Sequence, residues 1–186
     1  MDRSALLREL GVTVTSLPYE LHPEIPVGGI SLEERWGARY GEASAMYARI
    51  EAECEQAGLP FRRPARVPNT RRALHTAEWV RRNQPEAFDT LDRSLFETHF
   101  VDNRPLDDPD VLDELVAAAG ADAFAAREAV ESGAMQPALV ESMEAAMDAQ
   151  VTGTPAWQLD GRLLIPGVQA RGLFEFWVRR LRERPE

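Results

Sequence analysis

A long run of helical periodicity between two short β-rich segments most constrains how this chain can fold. From residue 31 to residue 150, apolar residues recur every three or four positions, which is the spacing of one buried helix face. The flanking segments, residues 12–21 and 156–165, carry the residue types of strands. Strands on both sides of a helical block predict an α/β fold with a large helical insertion.

Local signals place several elements. Residues 4–10 predict a short helix that Gly11 ends. Ser31 and Glu34 have the spacing of a capping box, which predicts the start of one helix that continues to Gly58. A last helix is expected over 170–184. Asp160-Gly161, between two apolar runs, predicts a β-hairpin with a type I′ turn.

The charge of the chain excludes some partners. Its 186 residues include 31 acidic and 21 basic side chains, a net charge of −10. An acidic surface repels nucleic acid and anionic membranes, so neither is expected as a partner. Residues 1–10 carry charges at Asp2, Arg3, Arg8 and Glu9 and contain no apolar run, so they do not form a signal peptide, and no later segment is long enough to span a bilayer. We therefore expect a cytoplasmic protein.

Few residues of the sequence are candidates for catalysis or for metal binding. The single cysteine, Cys54, cannot form an internal disulfide. It continues the apolar stripe of Tyr47 and Ile50, where a cysteine behaves as a small hydrophobic residue. His22 stands alone in a loop, where a histidine is usually solvated. No metal-ligand spacing and no phosphate-binding motif is present, so we expect no cofactor.

Four motifs, taken in order, carry a family resemblance. They are Pro18-Tyr-Glu-Leu-His-Pro-Glu-Ile-Pro26, Val67-Pro-Asn-Thr70, Asp108-Pro-Asp-Val-Leu112, and Val151-Thr-Gly-Thr-Pro155 just before the hairpin. Together they resemble DsbA-type thioredoxin-like proteins, in the branch close to FrnE-like proteins and 2-hydroxychromene-2-carboxylate isomerases.

The resemblance implies a division of the chain. Residues 1–30 and 151–186 would form an incomplete thioredoxin-like domain, and residues 31–150 an inserted helical domain. Relatives carry Cys-x-x-Cys after their first strand, where the helix N-terminus stabilises a thiolate. This chain begins inside the helix that would follow. The first strand and the active-site motif are therefore expected to be missing, and we predict that the chain is N-terminally truncated at Met1.

The resemblance also implies a site. Gly153, Thr154 and Pro155 would form a cis-proline loop that binds the backbone of a substrate. A cis bond occurs at roughly 5–6% of X–Pro bonds, but the Gly-Thr-Pro turn ahead of a hairpin favours it here. The expected partners are a thiol or disulfide substrate protein or glutathione, and a homodimer remains open.

By resemblance the function is that of a DsbA-family thiol–disulfide oxidoreductase, inactive as this chain because the cysteine pair is absent. No residue of the chain is therefore assigned a catalytic role. Two alternatives stay open. One is a glutathione-dependent isomerase or transferase of the same superfamily, and the other is a non-catalytic thioredoxin-like binding module.

Overall fold

The computed structural model describes residues 2–183, apart from the side chains of Asp2 and Tyr40. The chain divides into two compact units, Met1–Leu21 with Val140–Glu186, and His22–Leu139. The sequence predicts domain boundaries after residues 30 and 150, whereas the compact units change at residues 21 and 139. Whether the two units are separate domains stays a prediction.

The first unit contains a β-hairpin and helices. Its elements are α1 (Asp2–Glu9), the later part of α8 (Gln136–Asp148), β3 (Ala156–Leu159), β4 (Leu163–Pro166) and α9 (Arg171–Glu183). β3 and β4 pair antiparallel from Ala156↔Pro166 to Leu159↔Leu163. Asp160 and Gly161 have φ of 55° and 65°, as a type I′ turn requires. The predicted hairpin is therefore confirmed, while the predicted helix end at Arg184 lies outside the described residues.

A small apolar core holds this unit together. Its buried members come from α1, the hairpin and α9: Leu6, Leu7, Leu159, Ile165, Phe174 and Val178. Phe174 packs edge-on against Trp157, with ring centroids 5.6 Å apart. Burying each such side chain contributes about 1.5–3 kcal/mol, so the core fixes α9 against the hairpin.

The predicted strand over residues 12–21 is wrong as a strand. Val12 and Val14, which alternate with Thr13 and Thr15 in the sequence, do pack on the core. Among residues 2–183, however, no strand pairs with this segment. Without backbone hydrogen bonds to a neighbouring strand, an extended segment is not a β-strand. Side chains of α8 anchor the segment instead. Ser142 Oγ donates to Pro18 O at 2.6 Å, and Glu20 N–H donates to Met143 Sδ at 3.3 Å.

The second unit is mostly helical. Its elements are β1 (Ile30–Ser31), α2 (Leu32–Trp36), α3 (Tyr40–Gln56), β2 (Arg66–Val67), α4 (Arg71–Asn83), α5 (Pro85–Phe100), α6 (Pro109–Ala118) and α7 (Ala123–Glu131), followed by the start of α8. Helices α4 to α7 share one buried cluster built around Val80, Leu91, Leu112, Val116 and Ala126. The predicted capping box is present, with Ser31 and Glu34 each accepting from the other's amide.

Two details of this unit differ from the sequence prediction. One continuous helix is expected from Ser31 to Gly58, but Gly37, with φ of 47°, breaks it into α2, a short 3₁₀ turn and α3. In addition, β1 and β2 form a two-residue antiparallel pair in a region predicted to be helical throughout. The pair requires Gly29, because a Cβ there would lie 2.6 Å from Val67 O.

Candidate substrate-binding groove

The loop between α8 and β3 lines a groove in the first unit. The groove encloses about 290 Å³. Its walls are the loop and the adjoining ends of β3 and β4: Gln150, Val151, Thr152, Gly153, Thr154, Pro155, Ala156, Leu164, Pro166 and Gly167. All three residues predicted from the sequence to bind substrate, Gly153, Thr154 and Pro155, therefore lie on one surface.

Backbone hydrogen bonds hold the two ends of this loop. At its start, Val151 N–H donates to Ala146 O at 2.8 Å, in the last turn of α8. At its end, Gly167 N–H donates to Pro155 O at 2.7 Å. Gly167 has φ of 70°, a conformation that costs other residues about 1–2 kcal/mol. The loop is thus fixed to the helix on one side and to β4 on the other.

The middle of the loop is open to a ligand. The Thr154–Pro155 bond is cis, as predicted. Thr152, Thr154 and Pro155 are exposed. Within residues 2–183, the backbone N–H and C=O groups of residues 152–154 form no hydrogen bond. Such groups can pair with the main chain of an extended peptide, as in β-strand addition.

Other residues of the groove are missed by sequence reasoning. Leu164, Pro166 and Gly167 stand about ten residues after the loop and carry no reactive group. The available signal is the hairpin itself, because its register places Pro166 opposite Ala156. The Asp160-Gly161 turn fixes this register, and the register places the end of β4 beside the loop.

Cys54 does not have the character of a catalytic thiol. It lies in α3, in the second unit, and is half-buried. Burial and the neighbouring carboxylate of Glu53 raise the pKa of Cys54 above its ordinary value. A nucleophilic cysteine needs the opposite shift, toward the thiolate. The structure therefore gives Cys54 no feature of a reactive site.

Residues 22–26 and 67–70 of the family-like motifs lie in the second unit and contact each other there. Asn69 Nδ2 donates to Ile25 O at 2.6 Å, so two of the family-like motifs meet there. His22 Nδ1 lies 3.2 Å from Arg35 Nη2, and Arg35 also pairs with Glu24 at 2.9 Å. These contacts fasten the loop over residues 22–29. In the part of the chain that the structure describes, no group of three His, Cys, Asp or Glu side chains is placed to hold a metal ion.

Between residues 2 and 183, no helix combines the length and apolarity needed to cross a bilayer.

Comparison with solved structures shows the fold. A probable DsbA oxidoreductase from Streptomyces coelicolor superposes with a TM-score of 0.84 at 22% sequence identity, covering 99% of this chain and 82% of that one. A 2-hydroxychromene-2-carboxylate isomerase superposes with a TM-score of 0.66 at 19% identity, covering 96% of this chain and 85% of that one.

Sequence comparison gives the family. No curated protein matches the chain. A family model described as a DSBA-like thioredoxin domain matches residues 2–175. The architecture, with its hairpin and large helical part, agrees with this match. The chain therefore belongs to the DsbA-like thioredoxin domain family.

Proposed function

We propose that this chain provides a substrate-binding groove for DsbA-type thiol–disulfide chemistry and does not carry out the exchange by itself. In this proposal the loop over residues 151–155 binds the main chain of an extended polypeptide next to a cysteine or disulfide. The observation that carries the proposal is the exposed, unpaired backbone of residues 152–154 at the mouth of a formed groove.

The chemistry of exchange explains the second half of the proposal. A thiolate attacks one sulfur of the substrate disulfide, a mixed disulfide forms, and a second thiol releases it. The chain holds a single cysteine, Cys54, whose raised pKa disfavours the thiolate. It can therefore bind a substrate at the groove, but it lacks a thiol pair for completing the cycle.

A glutathione-dependent isomerase or transferase is the second candidate. Its support is the likeness to the 2-hydroxychromene-2-carboxylate isomerase. The likeness to the probable DsbA oxidoreductase is closer, with a TM-score of 0.84 against 0.66. We therefore favour the thiol–disulfide family and keep glutathione as a competing ligand of the same groove.

Binding at the groove can be measured directly. The ligand is a capped pentapeptide with S-methylcysteine at its centre, which cannot react with Cys54. Titration into the ¹⁵N-labelled chain should shift the amide signals of residues 151–154. Gly153→Leu should abolish these shifts, because the leucine side chain would occupy space in the groove that Gly153 lines. The fold should tolerate the change, since a Cβ at Gly153 meets nothing within 4 Å.

The matched control is Gly172→Leu in α9. Gly172 also has nothing within 4 Å of a built Cβ, but it does not line the groove. This variant should bind the peptide like the unmodified chain. Binding that survives Gly153→Leu unchanged, with the fold intact by circular dichroism, would contradict the proposal.

A further inference from the structure

Helix α8 has an exposed side that is both apolar and acidic. Val140 and Met147 are 44% and 73% exposed, and because they are two turns apart they lie on the same side of the helix. The segment packed on α8, residues 12–21, adds the carboxylate of Glu20 and no basic residue. We use the name acidic stripe for the exposed apolar and acidic residues of α8: Val140, Glu141, Glu144, Met147 and Asp148.

Helix α9 has an exposed side that is apolar and basic. Phe174 and Val178 bury the other side of the helix in the core of the first unit. Leu173 and Phe176 are 37% and 44% exposed, and the side chains one turn further along the same side are arginines. We use the name basic stripe for these four residues: Leu173, Phe176, Arg179 and Arg180.

The neighbouring charges leave the basic stripe positive. α9 contains four arginines against two glutamates, Glu175 and Glu183. Of the two arginines outside the stripe, one pairs with Glu9 of α1 at 3.7 Å and the other donates to the carbonyl of Leu10. The arginines of the stripe itself form no ion pair within residues 2–183. The adjoining helix α1 adds two further basic side chains, Arg3 and Arg8.

The two stripes match in length and in chemistry. Val140 to Met147 and Leu173 to Arg180 each cover two helical turns, about 10 Å. Each stripe combines two exposed apolar side chains with charged ones, and the charges are of opposite sign. Because both stripes are exposed in the same unit, they do not cover each other within one chain. Adjacent apolar side chains with charges of one sign around them are typical of a protein–protein contact.

We propose that a second copy of this chain docks here, with the basic stripe of one copy on the acidic stripe of the other. The apolar side chains of both stripes leave water together, and the two arginines face the three carboxylates. The stripes are different surfaces, so the contact is heterologous, and a dimer closes when each copy supplies both of them.

The association is expected to be weak. Four partly exposed apolar side chains bury less than the roughly 1,200–2,000 Å² of a stable interface. Two copies of net charge −10 also repel each other at long range. Sedimentation equilibrium of the full chain at about 0.15 M salt, where this repulsion is screened, should show a mass that rises between about 10 µM and 1 mM. A chain that stays monomeric throughout this range would overturn the proposal.

Charge reversal tests whether the two stripes meet. Arg179→Glu and Glu144→Arg each place like charges opposite one another, so each variant alone should associate at least about fivefold more weakly. An equimolar mixture of the two variants should recover the association, because each reversed charge then faces the reversed charge of the other variant. A mixture that associates no better than its components would contradict the proposed pairing.

Matched controls separate the stripes from net charge and from exposure in general. Arg93→Glu and Glu128→Arg, both exposed in the second unit, change the net charge by the same amounts and should leave the association within about twofold.

Phe176→Ser should weaken the association, whereas Phe124→Ser, at a residue of α7 that is 78% exposed, should not. Circular dichroism checks that each variant is folded. Equal association of the stripe variants and their controls would overturn the proposal.

Discussion

The amide of Gly167 donates a 2.7 Å hydrogen bond to the carbonyl of Pro155. This bond ties the end of β4 to the loop that lines the groove. It depends on the backbone of Gly167, whose φ of 70° is unfavourable for a residue with a side chain.

Gly167→Ala should therefore destabilise the chain by about 1 kcal/mol. A Cβ at Gly167 meets nothing within 4 Å, so the cost is conformational and not steric. Gly172→Ala is the matched control, because its Cβ also meets nothing while its position is helical, and it should stabilise by up to about 1 kcal/mol. Urea denaturation of both variants measures whether the free energy of unfolding falls in Gly167→Ala and rises in Gly172→Ala. Equal shifts in the midpoint would contradict this account.

The purified chain should not reduce insulin disulfides above the background rate of the added thiol, because it has a single cysteine. The turbidity of precipitating insulin B chain measures the reaction. Turnover above that background that is lost in Cys54→Ala would show that Cys54 is catalytic after all.

Alkylation should report the raised pKa of Cys54. At pH 7.5, iodoacetamide should modify Cys54 more slowly than it modifies free cysteine, since burial and Glu53 disfavour the thiolate. Glu53→Gln should accelerate the reaction up to about threefold. Glu55→Gln, on the other side of Cys54 in the same helix, is the control and should change the rate little. The same rate in both variants would exclude the charge of Glu53 as a cause.

His99 should make stability depend on pH. Burial lowers the pKa of His99 to about 4, while an unfolded histidine titrates near 6.5. The unfolded chain therefore binds this proton more strongly, and stability falls as the pH falls from 6.5 toward 4. Because part of the ring reaches solvent, we expect a loss of about 2 kcal/mol. His99→Phe should flatten this region of the stability curve, and an unchanged curve would contradict the prediction.

Glu78 should make the free energy of unfolding depend on pH in a more acidic range than His99 does. Burial alone would raise the pKa of Glu78, but hydrogen bonds from Arg81 and Arg82, at 2.7 and 2.5 Å, outweigh it and lower the pKa. The resulting stabilisation is complete above the pKa of the unfolded chain and is lost as the pH falls through the folded one.

At pH 7, Glu78→Gln should therefore cost about 2–3 kcal/mol, and the difference should shrink below pH 4. Denaturant titrations of Glu78→Gln and the unmodified chain, at pH 7 and at a pH below 4, measure the difference in the free energy of unfolding. Glu86→Gln, exposed in the first turn of α5, is the control and should stay within about 0.5 kcal/mol. A difference that is the same at both pH values would argue against the ion pairs.

Local features of this chain were predictable because their physics is local. Helical periodicity, the capping box at Ser31 and the Asp160-Gly161 turn each depend on residues within four positions of one another. The loop at Thr154 and Pro155 was predictable for the same reason, because its motif is one continuous stretch of sequence. Cys54 could likewise be set aside from its place on an apolar stripe.

The sequence by itself determined the α/β pattern, the hairpin and the centre of the candidate site. Only the tertiary structure decided that residues 12–20 have no strand partner in the described part of the chain, and that side chains of α8, more than a hundred residues later, anchor them. Strand pairing and anchoring of this kind arise from contacts between distant residues, and the free energy of such contacts has no signature in any local window of sequence.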